Sequence, residues 1–451
     1  MKSLTAGWVA TAVGGVLVAD VDALVTSVVK DSRDAIAGSL YVAFVGEQVD
    51  GHDFVDTAFA AGATLALVSR TIDGPHLLVD DVTAALGALA GAYLTALRDE
   101  GDLVVIGITG SNGKTSTKDI LAQVLPHCAA PVGSYNNEIG LPLTILGAGP
   151  ETRHLVLEMG ASAPGDLAYL TAIAPLDIAV ELMVGSAHLG GYGSMAALAA
   201  EKATLLDGVV PGGVGILNAD DPLVAAMVGR APRTMTFGFG DADVAGVARR
   251  TEEGRARFSV RGEEVALSLV GDHHATNALA AIAVGLECGM TAARVVAAVS
   301  AALPVSPHRM ALRVRADGVR ILDDAYNASP ESMRAAFRAL KDVAAGGRTW
   351  AVIGEMLEMG EASIAAHDFL GEDAVRLGIN HLVVVGDGAR PAFVSAVREG
   401  SWGDEAAFVA TIDEARDLIA GKVAPGDTVL VKGSHGTELW RLADQLIEEV
   451  S

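Results

Sequence analysis

The sequence predicts an α/β fold arranged in three domains. Short apolar segments alternate with longer stretches of helical periodicity, and this alternation is typical of a mostly parallel sheet with helices on both faces. The length of 451 residues allows about two to four domains. Short strands and helices precede residue 100, and the alternating pattern restarts after residue 310. We therefore predict domains over 1–99, 100–310 and 311–451.

Each predicted domain has its own set of elements. The first is a small α/β unit that ends in a helix over 82–99, the second has a mostly parallel sheet, and the third is Rossmann-like. In the second domain we expect strands at 103–108, 154–158, 178–184 and 214–218 and helices at 115–124, 195–207 and 275–288. In the third we expect strands at 320–322, 349–353, 381–385 and 428–431. Ligands of such folds bind at the carboxyl ends of the strands.

The composition limits the classes of function. The chain has 56 acidic and 32 basic residues, and its net charge of −24 argues against nucleic acid or an anionic membrane as the main partner. Two distant cysteines without metal or disulfide spacing favour a reducing compartment. The sequence has no apolar run long enough to span a membrane, and Asp20 and Asp22 end the apolar N-terminal stretch. We expect a cytoplasmic monomer.

A glycine-rich segment follows the first strand of the second domain. Residues 107–118 read Gly-Ile-Thr-Gly-Ser-Asn-Gly-Lys-Thr-Ser-Thr-Lys and lead into a helix. Such a turn directs backbone N–H groups and a helix N-terminus at one point, which favours bound phosphate. Ile108 stands where the general phosphate-loop pattern has its first glycine, so a glycine turn with a surface lysine is the alternative interpretation. The predicted phosphate-binding residues are Gly110, Ser111, Asn112, Gly113, Lys114, Thr115 and Ser116.

Three further polar residues of this domain are candidates for a metal and phosphate site. Glu158 closes an apolar strand, where a carboxylate can bind Mg²⁺, as can the Thr115 hydroxyl. His188 follows another strand and is either a metal ligand, a phosphoryl contact or a structural histidine. Lys202 lies on an Ala/Leu-rich helix and is by default an exposed lysine. The alternative is a lysine held in the site, where carbamylation would make it an anionic metal bridge.

Other polar segments lie near the predicted domain junctions. Asn136 and Asn137 suit substrate amides or phosphate, or form an asparagine-rich turn. Arg309 could bind phosphate, and an aspartate of the pair at 323–324 could bind a ribose hydroxyl. Taken singly each is an ordinary polar residue, but together they lie where a third domain would close on a nucleotide. The chemistry indicated is phosphoryl transfer supported by Mg²⁺ and positioning.

Several of these segments resemble a known family. Residues 109–115 resemble the ATP loop of the Mur ligases and folylpolyglutamate synthases. Residues 31–33, 38–43 and 50–54 are similar to the uridine-nucleotide domain of Mur ligases. The segments 135–140, 324–333 and 354–360, with His367, resemble the MurF branch of that family. The sequence departs from the usual motifs at Met183, Ser186, Ser329 and His435, where Asn, Thr, Asn and Arg are usual.

The resemblance implies an activity and a set of roles. The activity is ATP- and Mg²⁺-dependent joining of D-alanyl-D-alanine to UDP-N-acetylmuramoyl-tripeptide through an acyl phosphate, with the third peptide residue, diaminopimelate or lysine, left open. Lys114 would bind ATP phosphates, and Thr115, Glu158 and His188 would serve Mg²⁺. Lys202 matches a lysine that some Mur ligases carbamylate. Asn277 would face adenine, Arg309 the phosphates and Asp324 the ribose. Ser32, Arg33, Asn136, Asn137, Tyr326 and Asn327 would bind the uridine-nucleotide peptide and the dipeptide.

Three other functions compete with this one. The MurE branch adds a diamino acid one step earlier, but its usual Asp-Asn-Pro-Arg type motif is absent from the sequence. Folylpolyglutamate synthase fits less well, because the first domain resembles one that binds a uridine nucleotide. A nucleotide-driven switch or binding protein that forms no bond is the rival of another class.

Overall fold

The N-terminal region carries a small mixed sheet. The computed structural model describes residues 1–46, 48–186, 189–400, 403 and 405–448. The strands are β1 (Leu4–Thr5), β2 (Val16–Val18), β3 (Leu24–Val25), β4 (Ser27–Val29), β5 (Ser39–Val42), β6 (Leu65–Val68) and β7 (His76–Leu78), and the helices are α1 (Ala6–Val13), α2 (Val55–Ala61) and α3 (Val82–Glu100). The sheet order is β2-β7-β6-β5-β4, parallel except for the edge strand β2, and β1 pairs with β3.

The central region is built on a sheet of nine strands. Its strands are β8 (Val104–Thr109), β9 (Cys128–Ala129), β10 (His154–Glu158), β11 (Leu176–Glu181), β12 (Val209–Asn218), β13 (Thr234–Gly238), β14 (Val244–Glu252), β15 (Arg255–Val260) and β16 (Glu263–Val270). Its helices are α4 (Lys114–Val124), α5 (Gly140–Gly147), α6 (Asp166–Ile173), α7 (Leu189–Tyr192), α8 (Met195–Asp207), α9 (Pro222–Ala225), α10 (His274–Glu287) and α11 (Ala292–Ala301).

The order of these strands determines which loops meet. The order is β16-β15-β14-β13-β12-β11-β8-β10-β9, so β8 lies between β10 and β11 and runs parallel to both. The carboxyl ends of these three strands therefore lie side by side. Strands β14, β15 and β16 pair antiparallel and have no helices between them, so the alternation of strands and helices did not predict them; β14 also exposes its second half. The chain also leaves β11 at Glu181, earlier than the predicted end at residue 184.

The C-terminal region forms a third sheet. Its strands are β17 (Ala311–Val314), β18 (Arg320–Asp323), β19 (Thr349–Ile353), β20 (His381–Val385), β21 (Ala406–Val409) and β22 (Thr428–Lys432), and its helices are α12 (Pro330–Ala344), α13 (Ser363–Arg376), α14 (Arg390–Glu399), α15 (Ile412–Ala420) and α16 (Trp440–Glu448). The order β17-β18-β22-β19-β20-β21 is parallel except for β17. The predicted α/β fold with mostly parallel sheets is confirmed.

Buried apolar residues join the N-terminal region to the central sheet. Helix α3 packs against α1 and α5, and Leu89 and Tyr93 of α3 share a core with Val105 and Leu155 of the central sheet. The Tyr93 hydroxyl donates a hydrogen bond of 2.7 Å to the carbonyl of Ala148. Each fully buried leucine or valine stabilises the fold by roughly 1.5–3 kcal/mol. The domain limits near 99 and 310 stay predictions, although each main sheet lies within one predicted range.

In the part of the chain that the structure describes, no helix is long and apolar enough to cross a bilayer.

Candidate active site

The glycine-rich segment joins β8 to α4, as predicted. Gly110 and Gly113 have φ angles of +149° and +93°, which favour glycine over residues with a side chain. A Cβ on Gly113 would lie 2.5 Å from Oδ1 of Asn277, so this position also has no room for one. The loop therefore brings backbone N–H groups and the N-terminus of α4 to the end of the central sheet. Such a position attracts anions.

Lys114, the first residue of α4, points back over the loop. Its Nζ donates a hydrogen bond of 2.6 Å to the carbonyl of Gly110. Burial, together with the charges of Lys202 and Arg309, lowers the pKa of Lys114 to about 7, while Glu158 and Glu181 oppose that shift. Bound phosphate would favour the charged form. The alternative of a lysine projecting freely into solvent does not match this geometry.

Thr115, Ser134, Glu158 and Arg309 meet beside the loop. The Thr115 hydroxyl lies 3.2 Å from Oε2 of Glu158 and 3.1 Å from the Ser134 hydroxyl. Nη2 of Arg309 lies 3.4 Å from the Thr115 hydroxyl and 3.3 Å from that of Ser134. Glu158 is fully buried, and its Oε1 has no hydrogen-bond partner among the described residues. Burial raises the pKa of Glu158.

This corner has the donors that Mg²⁺ prefers. A hydroxyl and a carboxylate with one oxygen still unpaired fit a hard cation that binds oxygen ligands. The third predicted ligand, His188, lies outside the described residues. One cavity of about 220 Å³, the phosphate cavity, is lined by the loop residues, Glu158 and Arg309.

Lys202 is buried, so its interpretation as an exposed lysine is wrong. It lies on α8 with a relative exposure of 2%. It faces the charge of Glu181, the last residue of β11, which the sequence analysis missed. Glu181 is also fully buried, and neither carboxylate oxygen has a hydrogen-bond partner in the described parts of the chain. Burial raises the pKa of Glu181 to about 8, although Lys202 and Lys114 lower it.

A second cavity, of about 210 Å³, lies on the other side of the loop between α10 and the C-terminal region. Asn277, Arg309 and Asp324 line it, as predicted for a nucleotide site. The side chain of Asn277 lies 3.3 Å from Nδ1 of His274, and the two groups share a hydrogen bond. Lys432, another residue that the sequence analysis missed, donates hydrogen bonds of 2.5 Å to Oδ2 of Asp324 and 2.8 Å to the carbonyl of Asn327. It therefore fixes the carboxylate of Asp324.

One aromatic side chain and three amide side chains line the phosphate cavity or the cavity next to it. The Arg309 guanidinium lies over the Tyr326 ring, 4.2 Å from its centroid. Tyr326 and Asn327 both line the phosphate cavity. Asn136 lines the phosphate cavity and also a neighbouring cavity of about 600 Å³, where Asn137 joins it. Oδ1 of Asn137 accepts a hydrogen bond of 2.9 Å from the N–H of Gly140, so this asparagine also shapes its own turn.

Ser32 and Arg33 lie at a separate cavity of about 670 Å³ in the N-terminal region. Ser32 is buried, whereas the Arg33 side chain is 84% exposed and pairs with Asp31 at 2.5 Å. The hydrogen bonds from Arg33 lower the pKa of Asp31 to about 2. The residues predicted to bind ATP therefore lie together around the phosphate loop, whereas Ser32 and Arg33, predicted to bind the uridine nucleotide, lie at a separate cavity.

Comparison of the chain with known proteins identifies the family to which it belongs. Three family models match the chain: "Mur ligase family, catalytic domain" at 24–93, "Mur ligase middle domain" at 108–285 and "Mur ligase, glutamate ligase domain" at 308–435. A protein of Mycobacterium tuberculosis named UDP-N-acetylmuramoyl-tripeptide–D-alanyl-D-alanine ligase is 44% identical, over 100% of this chain and 98% of its own length. The chain belongs to the Mur ligase family.

Solved structures agree with the fold of this Mur ligase. MurF from Acinetobacter baumannii is 30% identical and superposes with a TM-score of 0.88, covering 99% of both chains. MurF from Thermotoga maritima, solved in complex with ADP, is also 30% identical, with a TM-score of 0.81 over 94% of this chain and 97% of that one. The MurF resemblance predicted from the sequence is confirmed.

Proposed function

We propose that this Mur ligase joins D-alanyl-D-alanine to UDP-N-acetylmuramoyl-tripeptide with ATP, giving the pentapeptide precursor of peptidoglycan, ADP and phosphate. The observation that carries the proposal is the 44% identity over the whole chain to a ligase of that name. The phosphate loop and the cavities on both sides of it supply the physical support.

The nucleotide is held by residues of two regions. The loop N–H groups and Lys114 bind the β- and γ-phosphates, with Arg309 as a second cation, and Gly110–Ser116 supply the cradle. Asn277 faces the adenine and Asp324, fixed by Lys432, faces the ribose. The family resemblance implies these roles, and the position of the groups on the walls of the two cavities supports them.

Thr115 and Glu158 would hold Mg²⁺, and the resemblance implies His188 as a further ligand. When bound, the ion neutralises charge on the transferring phosphoryl group. Glu158 is buried away from water, and its Oε2 pairs with the Thr115 hydroxyl. Its Oε1 is therefore left for a ligand. Arg309 keeps the Thr115 hydroxyl in place from the opposite side.

The reaction proceeds in two steps. The terminal carboxylate of the tripeptide takes the γ-phosphoryl group and becomes an acyl phosphate. The amine of D-alanyl-D-alanine then attacks this carbonyl, and the tetrahedral intermediate expels phosphate and leaves an amide. Asn136, Asn137, Tyr326 and Asn327 seat the peptides beside the phosphates, while Ser32 and Arg33 hold the uridine-nucleotide end. Holding the reactants in this geometry supplies much of the rate.

Lys202 acts from the buried side of the site. Its amine interacts with the charge of Glu181, where it balances negative charge or, if carbamylated, would supply an anionic ligand to a metal ion. Unchanged turnover in a Lys202→Ala variant would rule out a catalytic carbamate.

A substrate-swap assay tests the proposal. Phosphate release is measured with ATP, Mg²⁺ and the UDP-linked tripeptide, comparing D-alanyl-D-alanine with free diamino acids and D-amino acids. We expect release only with the dipeptide, together with a pentapeptide product of the correct mass. Release with another amine would assign a sister branch such as MurE, and no release with any amine would favour a nucleotide-driven switch.

A further inference from the structure

Helix α12 of the C-terminal region begins directly against the loops of the central sheet. Its N-cap, Ser329, accepts a hydrogen bond from the N–H of Ser332 at 3.3 Å, and its own N–H donates to the Ser332 hydroxyl at 2.9 Å. This capping box satisfies the first turn from within. The carboxylate of the next residue but one, Glu331, is therefore not needed to cap its own helix.

Glu331 instead reaches across to the central region. Its Oε1 accepts hydrogen bonds from the N–H of Ser186 at 3.0 Å and from the Ser186 hydroxyl at 2.9 Å. The neighbouring Ser329 makes a second link, because its hydroxyl lies 3.2 and 3.3 Å from the amide nitrogen and oxygen of Asn112 in the phosphate loop. Both links thus start within the first turn of one helix.

Ser186 is itself connected to the phosphate loop. Gly185, next to it, donates from its N–H to the Ser111 hydroxyl at 2.8 Å, and that hydroxyl donates to the Gly185 carbonyl at 3.0 Å. The N–H of Ser111 donates to the carbonyl of Met183 at 2.9 Å. A continuous hydrogen-bond chain therefore runs from Glu331 through Ser186 and Gly185 to the loop that is proposed to hold ATP.

We propose that Glu331 is a positioning residue that fixes segment 183–186 against the phosphate loop when the C-terminal region is docked. Hydrogen bonds to a carboxylate are stronger than those between neutral groups, and Glu331 lies in the first turn of α12. The inference rests on the proposed function, because the group being positioned is the site of phosphoryl transfer. Glu331 lines the cavity of about 210 Å³ that is proposed to hold the adenine and ribose, but its carboxylate is engaged by Ser186. We therefore expect its effect to be on the geometry in which the reacting atoms meet.

Kinetics of matched variants test this role. Glu331→Ala should lower kcat by about 10- to 100-fold, because small displacements of reacting groups have effects of that size, while the Kd for ATP stays within about 3-fold. Glu331→Gln should recover most of the activity, since its amide oxygen accepts from the same two donors. Arg338→Ala, on an exposed position of the same helix, is the control and should behave as wild type. A kcat unchanged in Glu331→Ala, or lost equally in Glu331→Gln, would overturn the proposal.

Hydrogen exchange gives a readout that does not depend on turnover. Because Glu331 accepts the N–H of Ser186, that amide should exchange at least about 10-fold faster in Glu331→Ala than in wild type or Arg338→Ala. An unchanged exchange rate would also overturn the proposal. If Glu331→Ala does not fold, Ser186→Ala replaces it: it removes one of the two donors and should lower kcat by about 3- to 10-fold, and an unchanged kcat there would count against the role.

The two proposals fail separately. If wild type makes no pentapeptide, the proposed function fails, and the exchange rate of the Ser186 amide still decides whether Glu331 holds this segment. If wild type turns over and Glu331→Ala matches it, only the positioning role fails.

Discussion

The phosphate cavity and the cavity of the N-terminal region at Ser32 and Arg33, the N-terminal cavity, differ in the solvent exposure of the charged groups in and around them. Glu158 lines the first cavity, and Glu181 and Lys202 lie near it without lining it. All three are almost completely buried, and burial displaces the pKa of each from its ordinary value. In the N-terminal cavity, Arg33 is exposed and pairs with Asp31, which is partly exposed. The first cavity is small, about 220 Å³, and the second is open and about 670 Å³.

This difference indicates a division of tasks. Charges removed from water act strongly on a reacting group and need no rearrangement when the reaction occurs, which suits phosphoryl transfer. Exposed charges are screened and contribute less, which suits recognition of one end of a long substrate. We therefore expect substitutions at the phosphate loop to change kcat by orders of magnitude, and substitutions at the N-terminal cavity to change KM modestly.

The largest effect is expected for Lys114. Lys114→Ala removes the cation that lies over the loop and should reduce phosphate release by about 1,000-fold or more, because it stabilises charge in the transition state. Far-UV circular dichroism should be unchanged. Lys341→Ala, an exposed lysine of α12, is the control and should keep normal activity. Full turnover by Lys114→Ala would show that this loop does not bind the transferring phosphate. The proposed contrast between the two cavities would then also be wrong.

A smaller loss is expected for Glu158. Glu158→Gln keeps the size of the side chain and an acceptor for Thr115 but removes the negative charge offered to Mg²⁺. We expect about a 100-fold drop in turnover at low Mg²⁺, partly recovered by raising the Mg²⁺ concentration. A loss that does not respond to Mg²⁺ would indicate that Glu158 acts in some other way.

The same contrast explains which residues could be predicted from the sequence. The phosphate loop could be predicted because its glycines, lysine and threonine are consecutive and follow an apolar strand. Glu158 could be predicted because it closes such a strand. Glu181 has the same signal, but the apolar run continues to residue 184, which hides its position at the end of β11. Strand ends are decided by sheet pairing, which a local apolar pattern does not contain.

Long-range partners lie beyond the reach of local patterns. Lys432 meets Asp324 across 108 positions of sequence, and only the order β18-β22 in the third sheet brings them together. The burial of Lys202 is equally hidden, because α8 has apolar residues on all sides and its sequence does not show which face is covered. The alternation of strands and helices along the sequence was sufficient to predict the fold class. The antiparallel strands β14–β16 follow one another without helices, so this alternation does not indicate them.

The buried charge of Glu181 predicts a pH dependence of stability. Burial raises its pKa to about 8, so Glu181 holds a proton in the native state where the unfolded state has lost it, and this contribution to stability is lost as pH rises from about 4.5 to about 8. The lowered pKa of Lys202 acts in the opposite direction. Glu181→Gln removes this loss. Relative to wild type, the variant should gain free energy of unfolding between pH 5.5 and pH 8. Urea unfolding at the two pH values measures it, and a constant difference would contradict the burial of the charge.

The smallest effect is expected for Arg33, and it tests the open side of the comparison. Arg33→Ala removes an exposed guanidinium that is already paired with Asp31, so little organised geometry is lost. We expect KM for the UDP-linked tripeptide to rise about 3- to 10-fold and kcat to change by less than about 2-fold, because the contact is the same in the ground and transition states. The Kd for ATP should not change.

The matched variant is Asp31→Asn, which frees Arg33 from its partner. Because Arg33 holds the pKa of Asp31 near 2, the pair stays charged at any pH used for the assay, and the comparison is free of titration. If Arg33 binds a diphosphate, freeing it should leave KM equal or lower. If either variant instead lowered kcat by about 10-fold or more, the N-terminal cavity would take part in the chemical step, and the division of tasks between the two cavities would then be wrong.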